Sequence, residues 1–196
     1  MVLAVYSPTM GTAAANEAVS AALVAISKAH PRCGASKVVA IDGPSGAGKT
    51  DFATALLDQL PGAHLLHMDD LYPGWDGLDR AVADLHDHVL APLARGERAA
   101  YRRWDWVHER YAGWQSLPAN DLLLVEGVGS GSAPGAALES VLIWLEAGRD
   151  VRLRRGVERD GESYLPHWRR WAAQEEALFA ADGTRNRADL VVDTSP

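Results

Sequence analysis

Eight consecutive residues, Gly43-Pro44-Ser45-Gly46-Ala47-Gly48-Lys49-Thr50, have the types and spacing needed to hold a chain of phosphates. They fit the pattern G-x-x-x-x-G-K-[ST]. Glycines let the backbone curl so that successive N–H groups point inward at an anion. A helix beginning there adds the positive end of its dipole. Lys49 is placed to reach β- and γ-phosphates and the Thr50 hydroxyl to bind Mg²⁺, so the pattern implies ATP with Mg²⁺.

Phosphoryl transfer is mostly positioning and charge neutralisation, and it needs carboxylates and cations around such a loop. Asp69 and Asp70 follow an apolar run, 64–68, that reads as a buried strand. One of them could accept the proton of an attacking hydroxyl and the other could hold Mg²⁺ through water. Glu126 ends the most apolar strand in the chain, 121–127, and has the position of a second metal-holding carboxylate. Magnesium takes only one or two carboxylates and keeps several waters. Arg152, Arg154, Arg155 and Arg159 crowd one predicted helix, 149–159. Arg155 and Arg159 are four apart and share a face, so they are the pair expected at phosphates.

The chain also has seven tryptophans, six of them outside the predicted strands: Trp75, Trp104, Trp106, Trp114, Trp168 and Trp171. Aromatic faces can sandwich a planar ring. Trp104 and Trp106 flank Asp105, and a ligand role and a small aromatic core are equal readings of that set. Asp84, His86, Asp87 and His88 resemble metal ligands, but residues two apart diverge on a helix, so a solvated face is expected.

These residues must be carried by alternating strands and helices. A strand is predicted at Lys37–Asp42 and a helix at 51–60, stopped by Pro61-Gly62. Strands follow at 64–68, 121–127, 141–145 and 188–193. Helices are predicted at 78–94, 149–159 and 164–181. Such alternation implies an α/β fold, a five-stranded parallel sheet with helices on both faces, as in P-loop nucleoside and nucleotide kinases. Ligands of such sheets bind beyond the carboxyl ends of the strands, where the P-loop, Asp69-Asp70 and Glu126 would converge. Residues 1–36 read as a loose tail (1–11) and an amphipathic helix (13–30). Residues 37–196 read as one kinase-like domain, with an acceptor-binding insertion at about 69–120. Within it, 101–111 is dense in aromatics and charges and has no clean period.

Length and composition narrow the class. The 196 residues can bury one full core, and 47% hydrophobic with 23% charged residues is ordinary for a globular domain. A net charge of −7 argues against a nucleic-acid surface. No apolar run is long enough to span a bilayer, and the first 30 residues lack the basic start of a secretory signal. The single cysteine, Cys33, suits a reducing compartment, and a cytoplasmic location is expected.

Taken in order, residues 38–50, Asp69-Asp70-Leu71-Tyr72, Trp104-Asp105-Trp106 with His108 and Arg110, Glu126-Gly127, and Arg154-Arg155 with Arg159-Asp160 resemble uridine kinase and its relatives. Those relatives include phosphoribulokinase, bacterial pantothenate kinase and bacterial ATP-binding proteins of the same family. The resemblance covers roughly residues 37 to 193. It implies Asp69 as the base and, by matching Tyr72 to a family tyrosine, implies Tyr72 as an acceptor-site residue. It also implies that Trp104, Asp105, Trp106, His108 and Arg110 contact the acceptor. This segment is one residue shorter than the family's between Trp106 and His108, and the arginine-rich lid is short, with Arg169 or Arg170 as stand-ins.

The leading reading is an ATP-dependent kinase acting on a small-molecule hydroxyl, a nucleoside or a related acceptor. A nucleoside monophosphate kinase is the second reading, with arginines gripping an acceptor phosphate. A nucleotide-binding regulator with little transfer activity is the third. The aromatic insertion favours a substrate pocket over a switch.

Overall fold

A computed structural model describes residues 12–118, 121–161 and 165–196. The expected tail, together with Ala119, Asn120 and Tyr164, lies outside the described residues. Five strands form one parallel sheet: β1 (Lys37–Asp42), β2 (His64–His67), β5 (Leu122–Glu126), β6 (Val141–Glu146) and β7 (Leu190–Asp193). Their spatial order is β2-β5-β1-β6-β7. The chain therefore has the five-stranded α/β architecture expected of it.

Alternation along the strands divides the core into two layers. Val38, Leu66, Leu123 and Val125 face α3 (Leu78–Leu85) and α6 (Leu165–Asp182), where Leu78, Leu85 and Trp171 meet them. Val39, Ile41, Leu124, Ile143 and Leu145 face the other way. There they pack on Phe52 and Leu56 of α2 (Lys49–Leu57) and on Ala22 and Ile26 of α1 (Thr12–Lys28). Both faces are covered, which is why these strands read as continuous apolar runs. α1 belongs to this core, and Lys37 Nζ donates to its Ile26 carbonyl at 3.1 Å.

Register sets the edge from which the P-loop leaves. Ile41 and His67 both pair with Glu126, so the ends of β1, β2 and β5 finish level. The P-loop leaves β1 there, and a short 3₁₀ turn, Met68–Asp70, leaves β2.

The insertion departs from expectation in two places. The helix expected over 78–94 contains a wide π turn, His86–Leu90, between α3 and α4 (Ala91–Ala94). Pro92 follows it and has no N–H to donate, and the widened turn accommodates that missing bond while Val89 and Leu90 stay buried. The aperiodic aromatic stretch is an antiparallel hairpin, β3 (Ala100–Asp105) and β4 (Arg110–Ser116). Most of its residues remain partly or fully exposed, so no apolar face imposed a period of two on the sequence. A register shift at Arg103/Trp104 blurs the alternation further. Asp84 corrects the solvated-face reading of that helix. It is buried and pairs with Arg80 at 2.9 Å, while His86 and Asp87 pair with each other near the surface.

Glu139, just before β6, yields a pH test. It is 4% exposed, and burial pushes its carboxyl up to about 8 against the pull of Arg187. From its ordinary value of 4.5 up to about 8 the folded chain holds a proton that the unfolded chain has lost. Stability therefore falls as pH rises through that window, by at most about 1.4 kcal/mol per pH unit from this group. Glu139→Gln should flatten that slope and be the more stable protein at pH 8 in denaturant titrations. A variant less stable than the parent at pH 8 would mean that an ionised Glu139 is held by Arg187.

Candidate active site

The P-loop backbone takes the conformation its glycines permit. Gly43, Gly46 and Gly48 have φ of 137°, 79° and 84°. A Cβ on Gly43 would run into the Leu145 carbonyl oxygen, and one on Gly46 would lie 2.5 Å from that of Arg152. These two glycines are required by close approach as well as by torsion.

Curling the amides one way leaves the carbonyls to be satisfied from outside. Lys49 Nζ donates to Gly43 O at 2.7 Å and to Pro44 O at 3.0 Å. Arg152 Nη1 donates to Ser45 O at 3.1 Å. Arg155 Nη1 donates to Gly46 O at 3.0 Å. Thr194 Oγ1, just after β7, donates to Ala47 O at 2.9 Å. Arg155 also donates to the Thr194 carbonyl at 2.7 Å. Both arginines sit on α5 (Arg149–Asp160).

This corrects the expectation that Arg155 and Arg159 act together over phosphates. Arg155 braces the loop backbone. Arg159, one turn on, pairs with Asp160 at 2.7 Å, and its charge reaches Asp69. Arg152, set aside by face-sharing logic, is the second brace.

Two buried carboxylates hold the loop's surroundings, and neither was singled out by the motif. Asp42 ends β1 and is fully buried. It accepts from the backbone N–H groups of Gly43, Gly129 and Gly131 at 2.6, 2.9 and 2.9 Å, tying the 127–135 loop to the P-loop. Burial pushes its carboxyl up to about 6, with those N–H groups and Lys49 opposing. Glu175 of α6 accepts from the Ser45 N–H at 2.7 Å.

The carboxyl edge of the sheet brings Thr50, Glu126 and Asp69 together. Thr50 Oγ1 donates to Glu126 Oε1 at 3.2 Å, and His67 Nδ1 lies 2.6 Å from the same oxygen. That bond to Glu126 raises the His67 pKa. Asp69 keeps an exposed surface beside these groups. Desolvation, then Glu126, raises its carboxyl, while Arg159, Lys49 and His67 oppose. Burial lowers the Lys49 ammonium against Glu175, Glu126, Asp42 and Asp69.

A hydroxyl oxygen beside a carboxylate, within reach of an inward-curled loop, is a donor set that suits a hard cation shared with phosphate oxygens. Thr50 and Glu126 would hold it. Asp70 does not join them, because its carboxylate faces the hairpin, meeting Arg103 and the Tyr101 hydroxyl at 3.3 Å each. Among the described residues no group of three or more His, Cys, Asp or Glu forms a metal cage.

The expected acceptor residues separate. Trp106 stays at the site, its indole donating to the Asp69 carbonyl at 2.9 Å. It lies edge-on to Trp75, which stacks on His167 at 4.6 Å and 8°. Asp105 and His108 bond to each other at 2.8 Å, and Asp105 also caps the Val107 and His108 amides. They close the hairpin tip, and Arg110 is exposed beside them. Trp104 packs edge-on to Tyr111. Tyr72 is 2% exposed, its hydroxyl bonded to Val128 O, which makes it a core residue and not an acceptor contact. Trp75 and His167 carried no sequence signal beyond residue type, since their partners come from distant segments.

No protein-family model matches the chain, and no curated protein matches it. Solved structures do. One, described as a possible uridine kinase from Bacillus stearothermophilus, is 18% identical with a TM-score of 0.66, over 91% of this chain and 98% of that one. A second, provisionally described as a fructose transport system kinase from Silicibacter sp. TM1040, is 22% identical with a TM-score of 0.53, over 93% and 100%. A third, D-glycerate 3-kinase from Cryptococcus neoformans var. grubii, is 11% identical with a TM-score of 0.54, over 94% and 97%. The chain has the P-loop kinase fold.

The bracing arginine is testable. Arg155→Ala removes bonds to Gly46 and Thr194 and should cost about 2 kcal/mol or more in stability. Nucleotide affinity should fall with it. Arg159→Ala should leave the melting temperature unchanged within about 2 °C. Equal melting temperatures for Arg155→Ala and the parent would refute the bracing role.

Proposed function

We propose that the protein transfers the terminal phosphoryl group of Mg·ATP to a hydroxyl of a small molecule, in the manner of uridine kinase, with a nucleoside or related acceptor. The observation carrying this reading is the Thr50–Glu126 pair beside Lys49 with Asp69 at the end of the adjoining strand. Mg·ATP would supply the phosphoryl group and the cation that neutralises its charge. Lys49 and the loop amides bind the phosphates, and Thr50 and Glu126 orient the metal. Asp69 accepts the acceptor's proton, and its raised pKa makes it the stronger base. Arg159 stands on the Asp69 side, where charge would develop on the transferred group. Trp106 offers an exposed ring next to Asp69.

A monophosphate acceptor would need uncommitted arginines on this side. Arg103 and Arg170 pair there with Asp70 and Asp76, while Arg110 is exposed at the hairpin tip. Among the described residues no helix is long and apolar enough to cross a membrane.

Lys49→Ala should abolish ATP binding in calorimetry. With an acceptor found from a panel of nucleosides, sugars and hydroxy acids, Asp69→Asn should lower turnover by about 10²- to 10⁴-fold with ATP affinity nearly intact. Full turnover in Asp69→Asn would refute Asp69 as the base. ATP bound without transfer to any acceptor would favour a regulator.

A further inference from the structure

Glu175 lies mid-way along α6, far in sequence from the P-loop, and is 2% exposed. One carboxylate oxygen takes the Ser45 N–H at 2.7 Å, and the other lies 3.8 Å from the Arg152 guanidinium. Burial raises the Glu175 carboxyl, and the Lys49 ammonium, the Ser45 N–H and Arg152 oppose that by favouring its charged form. A loop amide, the loop lysine and an arginine are the donors that a terminal phosphate also needs. Glu175 is thus an anion of the chain's own, held by a phosphate-binding loop.

The same helix reaches the acceptor side. His167 stacks on Trp75, and Trp171 meets Tyr72 and Trp75 edge-on at 4.8 and 6.2 Å. Gln174, next to Glu175, donates to the Trp75 carbonyl at 2.8 Å. Arg170 pairs with Asp76 at 3.0 Å. Just over two turns of one helix, from His167 to Glu175, therefore join the Ser45 amide to the 72–76 loop.

We propose that Glu175 competes with the terminal phosphate for the P-loop, and that its displacement carries nucleotide arrival along α6 to the aromatic acceptor surface at Trp75. The proposal rests on the reading that this loop binds a nucleotide. Its consequence is reciprocal: whatever seats the phosphates reshapes the acceptor side, and an acceptor that moves α6 changes nucleotide affinity.

The test needs no acceptor. ATP affinity is measured by calorimetry for the parent, Glu175→Gln, Glu175→Asp and Glu176→Gln, with thermal scans of each. Glu175→Gln removes the competing charge, and Glu175→Asp keeps the charge but withdraws it from Ser45. Both should bind ATP about tenfold tighter, within the usual range of site coupling, and Glu176→Gln, altered at an exposed neighbour, should match the parent. Inorganic tripolyphosphate, which has no ring to stack, should shift tryptophan emission in the parent and much less in Glu175→Gln.

A folded Glu175→Gln that binds ATP as the parent does, or more weakly, overturns the proposal and makes Glu175 a structural anchor of the loop. If Glu175→Gln does not fold, Glu175→Asp and the parent decide. No gain in affinity in Glu175→Asp, or no emission change in the parent, overturns it. A parent that binds neither ATP nor tripolyphosphate removes the nucleotide reading itself, and this proposal falls with it.

Discussion

A backbone loop that turns its amides toward an anion must dispose of its carbonyls elsewhere, because a buried unpaired carbonyl costs about as much as a lost hydrogen bond. In this protein each carbonyl from Gly43 to Ala47 has a side-chain donor: Lys49 for the first two, then Arg152, Arg155 and Thr194. Those donors come from the loop's own helix, from α5 and from the end of β7. The chain after β6 is thereby tied to the loop that follows β1, and Asp42 ties in the loop that follows β5. The phosphate cradle is a shape imposed by three other segments as much as by its glycines.

The same tying concentrates charge. Lys49 is buried among Glu175, Glu126, Asp42 and Asp69, and each carboxylate helps keep its ammonium charged. Asp42 and Glu175 are spent on backbone N–H groups, whereas Glu126 and Asp69 stand at the sheet's edge. Two carboxylates shape the loop, and the other two stand where the proposed chemistry would use them. That division follows from topology, since Glu126 ends β5 and Asp69 sits in the turn just after β2, and both strands finish level with β1.

What could be read from the sequence was what local spacing dictates. The P-loop, the strand runs and the strand-ending carboxylates Asp69 and Glu126 all announce themselves within a dozen residues, and all three converge. The hairpin did not, because a two-stranded ribbon open to solvent needs no alternating apolar face. Asp70 and Tyr72 share a motif with Asp69, but the tight turn after β2 sends one to the hairpin and the other into the core. Glu175 was invisible for a different reason: its partner Ser45 lies 130 residues away, and no pattern within α6 marks it. The arginine helix was half legible. Its face-sharing argument assumed one ligand, while Arg152 and Arg155 each serve a different carbonyl of the same loop.

The central claim is that this braced loop, Thr50, Glu126 and Asp69 form one phosphoryl-transfer site. A crystal structure with Mg²⁺ and a non-hydrolysable ATP analogue tests it most directly. The account predicts a metal about 2.1 Å from Thr50 Oγ1, beside Glu126, with the carbonyls of residues 43–47 still held by their side chains and the terminal phosphate facing Asp69. A metal bound away from Thr50 and Glu126, or a terminal phosphate turned away from Asp69, would contradict it.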